Sequence, residues 1–227
     1  MSWPGAGPRL ALGWLLPALG CLLLVIGCQT PGGEDAEGST AAAQAAPAPR
    51  DWSAPVDFSA LRGEYGNRDD FDALCVDERP FVALAEQAPA KDWTGIIATS
   101  APWLDSCPID MDVHFVRAVA LKEVGRTEES ELHVAWYKGL VGSVLSSGDG
   151  RSPQSAWVVI SVQEEYAILR GLRARAVSQE LVEGRIDKLD IERSNGQRAT
   201  IYFDPKAHFQ RLVKQREEAA AEGAAGQ

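Results

Sequence analysis

The sequence predicts an α+β fold, with helical hairpins in the N-terminal half followed by a small, mainly antiparallel β-sheet with one or two helices. Three observations carry this. Apolar residues recur at helical spacing through Val113–Val144, with a break at Gly125. From Trp157 the pattern changes to short β-rich runs. Asn195-Gly196 then separates two alternating segments, which is a strong hairpin signal.

The chain has 227 residues, and its ends differ from its middle. Arg9 precedes an apolar run, Leu10 to Ile26, that contains no acid. The run is shorter than the ~20 residues that span a bilayer, and a basic start before a short apolar stretch reads as a secretory signal. It ends in Val25-Ile26-Gly27-Cys28, which resembles the bacterial lipobox. That resemblance implies a signal peptide over residues 1–27 and a lipid on Cys28. An uncleaved anchor is the alternative. Cys21 is a weaker lipid site, because it leaves Leu22–Ile26 on the mature chain. Gln29, where an Asp would signal retention, implies the outer membrane under enterobacterial sorting rules. The expected location is therefore exported and membrane-anchored, on the periplasmic side or in the outer membrane.

Residues 28–55 are Ala, Pro, Gly and acid with almost no large apolar side chain, so a disordered tether is expected there. Residues 217–227 read as a disordered tail. Between them lies one body, with a helical-hairpin half at 56–147 and a sheet-and-helix half at 148–216. The formal charge is −10, and this acidity argues against nucleic acid as a partner. Residues 51–112 carry 13 acids and 4 bases, whereas 150–216 carry 8 acids and 12 bases. Docking of the two halves is the simpler reading; contact of the basic half with an acidic partner is the other.

The first clear helix covers Val113–Val124 and ends at Gly125, suited to a C′ position. Thr127 is expected to cap the next helix, whose first turns hold Glu128, Glu129 and Glu131. Leu132, Trp136, Leu140 and Val144 form its inward stripe. Ala118, Leu121, Gly125-Arg126, Glu129 and Tyr137 together resemble one tetratricopeptide-type hairpin. Phe81–Leu84 with Ala90–Trp93 suggest a degenerate earlier copy, with Ala90 and Gly125 offset by 35 residues, close to the roughly 34-residue period of that family. A third full copy is missing.

Trp157–Val162 reads as a central strand, and Ser161 with Glu164 as a capping box opening a helix through Leu172. Strands are expected at Ala174–Val182, Ile186–Arg193 and Ala199–Phe203. A two-residue Asn-Gly turn would set Glu192 and Asp190 opposite the apolar residues Ala199 and Ile201. A three-residue loop, Ser194–Gly196, pairs Leu189 with Ile201 and Ile191 with Ala199, so it is the predicted register. Asp204-Pro205 is expected to supply the N-cap and first residue of a last helix.

The candidate ligand loop is Ser146, Ser147, Gly148, Asp149, Gly150, Arg151 and Ser152, where two glycines flank an aspartate among hydroxyls. Backbone N–H groups in such a loop can cradle an ion or anion, with Glu165 or Tyr166 nearby; the competing reading is a helix C-cap and tight turn. Adjacent Glu164 and Glu165 point about 100° apart on a helix, so capping explains them better than an acid/base dyad. His114, His133 and His208 lack metal spacing, and His133 shares a helix face with Tyr137. No catalytic residue, metal or cofactor is expected. Cys75 and Cys107 remain in an exported chain, so a disulfide worth ~3–4 kcal/mol is expected, against two buried thiols as the alternative.

The run SVLSSGDGRSPQSAWVVISVQEEYAIL, Ser143 to Leu169, resembles the signature of the bacterial family called domain of unknown function 4919. Asp57–Arg62 and Ile201–Asp204 also fit, so the resemblance spans residues 56–204. Asp204 departs from it, since relatives tend to carry Asn there. The resemblance implies an exported protein and supplies no activity or ligand. The expected function is a lipid-anchored envelope protein that binds or scaffolds, its partners the membrane, through the lipid, and an envelope protein. A small-ligand or ion-binding module at the Ser146–Ser152 loop is the second reading. A hydrolase using Asp149 and a glutamate is the third.

Overall fold

The computed structural model describes residues 50–76 and 78–225; the expected signal peptide, Cys28 and the expected tether up to residue 49 lie outside them. Among the described residues there are eight α-helices and a four-stranded sheet, so the fold is mixed α+β. The helices α1 (Phe58–Gly66), α2 (Phe71–Cys75), α3 (Glu78–Ala90), α4 (Trp93–Ser106), α5 (Met111–Glu123) and α6 (Thr127–Leu145) come first. They are followed by β1 (Trp157–Val158), α7 (Val162–Gly171), β2 (Ala174–Val182), β3 (Ile186–Arg193), β4 (Arg198–Asp204) and α8 (Lys206–Ala225).

Aspartates start three of the helices. Asp57, Asp92 and Asp110 accept from the N–H groups of Ala60, Gly95 and Val113, each satisfying an orphan donor of its first turn. Helices α3 to α6 pack each on the next as two short-turn hairpins. The two turns pivot on left-handed residues, Lys91 (φ 57°) and Gly125 (φ 79°), which are 125 − 91 = 34 positions apart. The cap of α6 differs from expectation: Arg126 is the N-cap, Thr127 is already helical, and Arg126 forks onto Glu129 at 2.6 and 2.5 Å. The left-handed Gly125 brings the chain into the helix one residue early. Within α6, a Cβ on Gly139 would lie 2.1 Å from the Phe58 ring, so a larger residue there forces that ring of α1 to move.

The sheet order is β1-β4-β3-β2, with β1 parallel to β4 and the rest antiparallel. Leu189 pairs with Ile201 and Ile191 with Ala199, as the apolar pattern requires. Gly196 takes φ 81°, closing the three-residue loop. The expected central strand is instead the two-residue edge strand β1. Val159 and Ile160, 0% and 5% exposed, leave the ladder and enter the core. Their apolarity reflects burial as a connection, which β periodicity does not distinguish from a central strand.

The boundaries of the body also move. Trp52, expected in the tether, packs edge-on against Trp136 at 4.7 Å and accepts from the Trp136 indole N–H at 2.9 Å. Residues 217–225, expected as tail, continue α8, because Glu and Ala propagate a helix once its packed first half has formed. Asp204 is the last residue of β4 and binds Arg185; it does not cap α8, which begins at Lys206. Three ion pairs join basic C-terminal residues to the acidic N-terminal side: Arg170–Asp112, Lys214–Asp69 and Arg211–Asp72. This is the sense the charge pattern anticipates.

Cys75 and Cys107 form a disulfide with Cα atoms 5.3 Å apart, tying the end of α2 to the C-cap of α4. Reduction releases a loop of 32-residue separation and is expected to cost about 3–4 kcal/mol. Urea unfolding with and without reductant measures this; identical midpoints would contradict it.

Candidate functional site

The Ser146–Ser152 loop spends its polar groups on itself. Ser146 and Ser147 hydroxyls donate back to the carbonyls of Ser143 and Val144 at 3.0 and 2.6 Å. Ser147 also accepts from Val158 N–H at 2.7 Å, which fixes β1 to the end of α6. Asp149 Oδ1 accepts from Ser155 Oγ at 2.5 Å and from Arg151 N–H at 2.9 Å; these bonds hold its pKa below the ordinary carboxylate value. The N–H groups of Asp149 and Gly150 both point inward to Ser155 O, so they form no outward anion cradle. Ser152 caps a short 3₁₀ turn, Pro153–Ser155. Gly148 leaves no room for a Cβ, which would sit 2.3 Å from Ser155 O, and its carbonyl accepts from the Trp157 indole N–H at 3.1 Å. Gly150 takes φ 67° and its carbonyl accepts from Tyr202 N–H at 3.0 Å, tying the loop to β4.

Ser147 of the loop, with Pro153 and Gln154 just beyond it, lines a groove of about 450 Å³ together with Glu183, Arg185 and Asp204. The groove lies at the carboxyl ends of β1 and β4, the one parallel pair of the described sheet. Gln154 Nε2 donates to Glu183 Oε1 at 3.0 Å, and Arg185 grips Asp204 through two bonds of 3.1 and 3.0 Å. Glu183 occupies the first position of the β2–β3 turn at φ 50°, a left-handed conformation strained for any side chain that is not Gly, Asn or Asp.

Glu165 and Tyr166 find their partners on β2 and β3, away from the loop. Tyr166 Oη lies 3.4 Å from Gln179 Oε1, and Gln179 Nε2 donates to Asp187 Oδ1 at 3.1 Å. Glu165 is fully buried and neither of its oxygens meets a donor. Its neighbour is another carboxylate, Asp187, so a proton on Glu165 is what allows the two to coexist. Burial, then the Asp187 charge, push the Glu165 pKa up to about 9. Asp187 escaped the sequence reading, yet a signal was present: it shares strand parity with Leu189 and Ile191 and must face inward.

Glu164 is not simply a cap residue. Ser161 Oγ accepts from Glu164 N–H at 3.3 Å, but the Glu164 carboxylate turns to Arg62, with Nε and Nη2 at 2.8 and 2.7 Å. Arg62 also donates to Ser143 Oγ and Val158 O, so one buried guanidinium ties α1, α6, β1 and α7 together.

The histidines form a proton-ordered chain. Arg117 Nε donates to His133 Nε2 at 2.9 Å, which leaves the His133 proton on Nδ1. That group donates to His114 Nδ1 at 2.9 Å, and His114 Nε2 donates to Pro108 O at 2.9 Å. His133 thus pairs with His114 and not with Tyr137, its neighbour on the helix face. Desolvation lowers the pKa of His114 to about 3 and of His133 to about 4. The unfolded chain binds protons that the folded one refuses below pH ~6.5, so this stability is full above ~6.5 and lost as pH falls. Neither imidazole is expected to titrate in NMR spectra between about pH 5 and 8; a midpoint near the ordinary value of ~6.5 would refute the chain.

Among the described residues, no group of three or more His, Cys, Asp or Glu side chains could hold a metal ion. No curated protein and no solved structure matches the chain. One family model does, the domain of unknown function DUF4919, over residues 75–214. That stretch contains the loop, the groove residues, the Glu165–Asp187 pair, the histidine chain and both cysteines. It covers more than half of the 227 residues, and the chain belongs to the DUF4919 family.

Proposed function

We propose that this chain is a lipid-anchored protein of the bacterial cell envelope whose α+β body serves binding or scaffolding. The observation that carries the reading is the Cys75–Cys107 disulfide, since such bonds form and persist in oxidising compartments. It accords with a lipobox-like Val25–Cys28 at the end of the N-terminal apolar run. Cells fed radiolabelled palmitate test the anchor. Wild-type protein is expected to carry label and enter the detergent phase of Triton X-114, and Cys28→Ala to do neither. A Cys28→Ala protein that still carries palmitate sinks the assignment of the lipid. Pull-down from detergent-solubilised envelope tests the binding role, and a clean negative with several baits weighs against a scaffold.

A second reading, small-ligand binding, is favoured by the groove. Its volume, about 450 Å³, falls within the range of small-molecule sites, and acidic, basic and apolar side chains all line it.

A further inference from the structure

We infer that the groove at the carboxyl ends of β1 and β4 binds a small zwitterion of the amino-acid class, its carboxylate on Arg185 and its ammonium between Asp204 and Glu183. The inference rests on the small-ligand reading and names the ligand. At the polar end, Arg185 presents a planar fork of the shape that grips a carboxylate. Its side chain is 53% exposed, and it commits Nε and Nη2 to Asp204, while Nη1 meets no partner among the described residues. A half-exposed pair of this kind contributes little stability, so a ligand carrying both charges can open it while each partner keeps a counter-charge.

Charge and shape exclude the other small-molecule classes. Two carboxylates against one guanidinium repel a plain anion, while a plain cation leaves Arg185 unused. A sugar ring calls for an aromatic platform, and the apolar lining here is Pro153, Ala156, Val158 and Ile186. Val158 is 42% exposed, a size and position suited to a short aliphatic side chain. Glu183 takes its left-handed backbone from the β2–β3 turn, and Gln154 steadies its carboxylate at the groove.

The test is amide NMR of the full chain in detergent micelles, titrated with L-alanine, N-acetyl-L-alanine and L-alaninamide, the last two each lacking one charge. L-Alanine is expected to shift the amides of Gln154, Val158, Glu183 and Arg185, and each blocked analogue to bind at least about tenfold more weakly. Arg185→Met should abolish discrimination between L-alanine and L-alaninamide. Asp204→Asn should weaken that between L-alanine and its N-acetyl form, and Asp204→Asn with Glu183→Gln should abolish it. Equal binding of all three compounds overturns the zwitterion assignment. Shifts at the groove with glycerol alone overturn it as well, while leaving the small-ligand reading standing. If neither glycerol nor any free amino acid moves the groove amides, both fall.

Discussion

Arg62→Met is expected to destabilise the protein by about 3–5 kcal/mol, because it strands the buried Glu164 carboxylate without its counter-ion. Both side chains are under 10% exposed and joined by two hydrogen bonds. The same guanidinium satisfies Ser143 Oγ and Val158 O, so its loss leaves acceptors unmet on two further elements. Urea unfolding of wild type, Arg62→Met, Glu164→Leu and the double variant reads the effect as a cycle. The double variant should be less damaged than the two single losses summed, since removing both charges removes the stranded one. A loss below about 1 kcal/mol in Arg62→Met would place the pair among ordinary surface bridges and refute its structural role.

Glu165→Gln is expected to stabilise the protein, and increasingly so with pH. The folded-state pKa of Glu165 is raised to about 9 by burial and then by the neighbouring Asp187 and Glu164 charges. Its contribution is therefore fully present below the unfolded value of ~4.5 and lost as pH rises through the folded one. Gln keeps the shape of the protonated acid and removes that dependence. The variant should match wild type near pH 4 and exceed it at pH 8 by on the order of 4 kcal/mol, at roughly 1.4 kcal/mol per pH unit. Melting temperatures across that range check it. A variant less stable than wild type at pH 8 would mean that Glu165 is ionised and paired.

Part of this could be read from the chain alone. The α-then-β order, the α5–α6 hairpin and the β3–β4 register follow from periodicity, and a one-residue slip in that register would have buried Asp190 and Glu192. The disulfide needed only two cysteines in a segment expected to be exported. The β1 run and the Ser146–Ser152 loop were harder to read. An apolar run looks the same as a strand or as a buried connection, and a Gly-Asp-Gly turn looks the same whether its N–H groups face a ligand or Ser155 O. The partners of Glu165 and Tyr166 have no local signal, since Gln179 and Asp187 reach them only through the pairing of β2 with β3.

Local forces, read along the sequence, settled where helices start, where the chain turns and which strand faces are apolar. Tertiary structure decided the partners of the buried polar and charged groups. Arg62 and Glu164 are 102 positions apart, and His114 and His133 are 19 apart on successive helices. Each pair is held by hydrogen bonds that gain strength once burial removes competing water, and burial acts on a side chain only after the surrounding elements have closed over it. No periodicity encodes that, so the same Glu-Glu step reads as a helix cap in the sequence. In the folded protein it is one half of a salt bridge beside a carboxyl that burial keeps protonated.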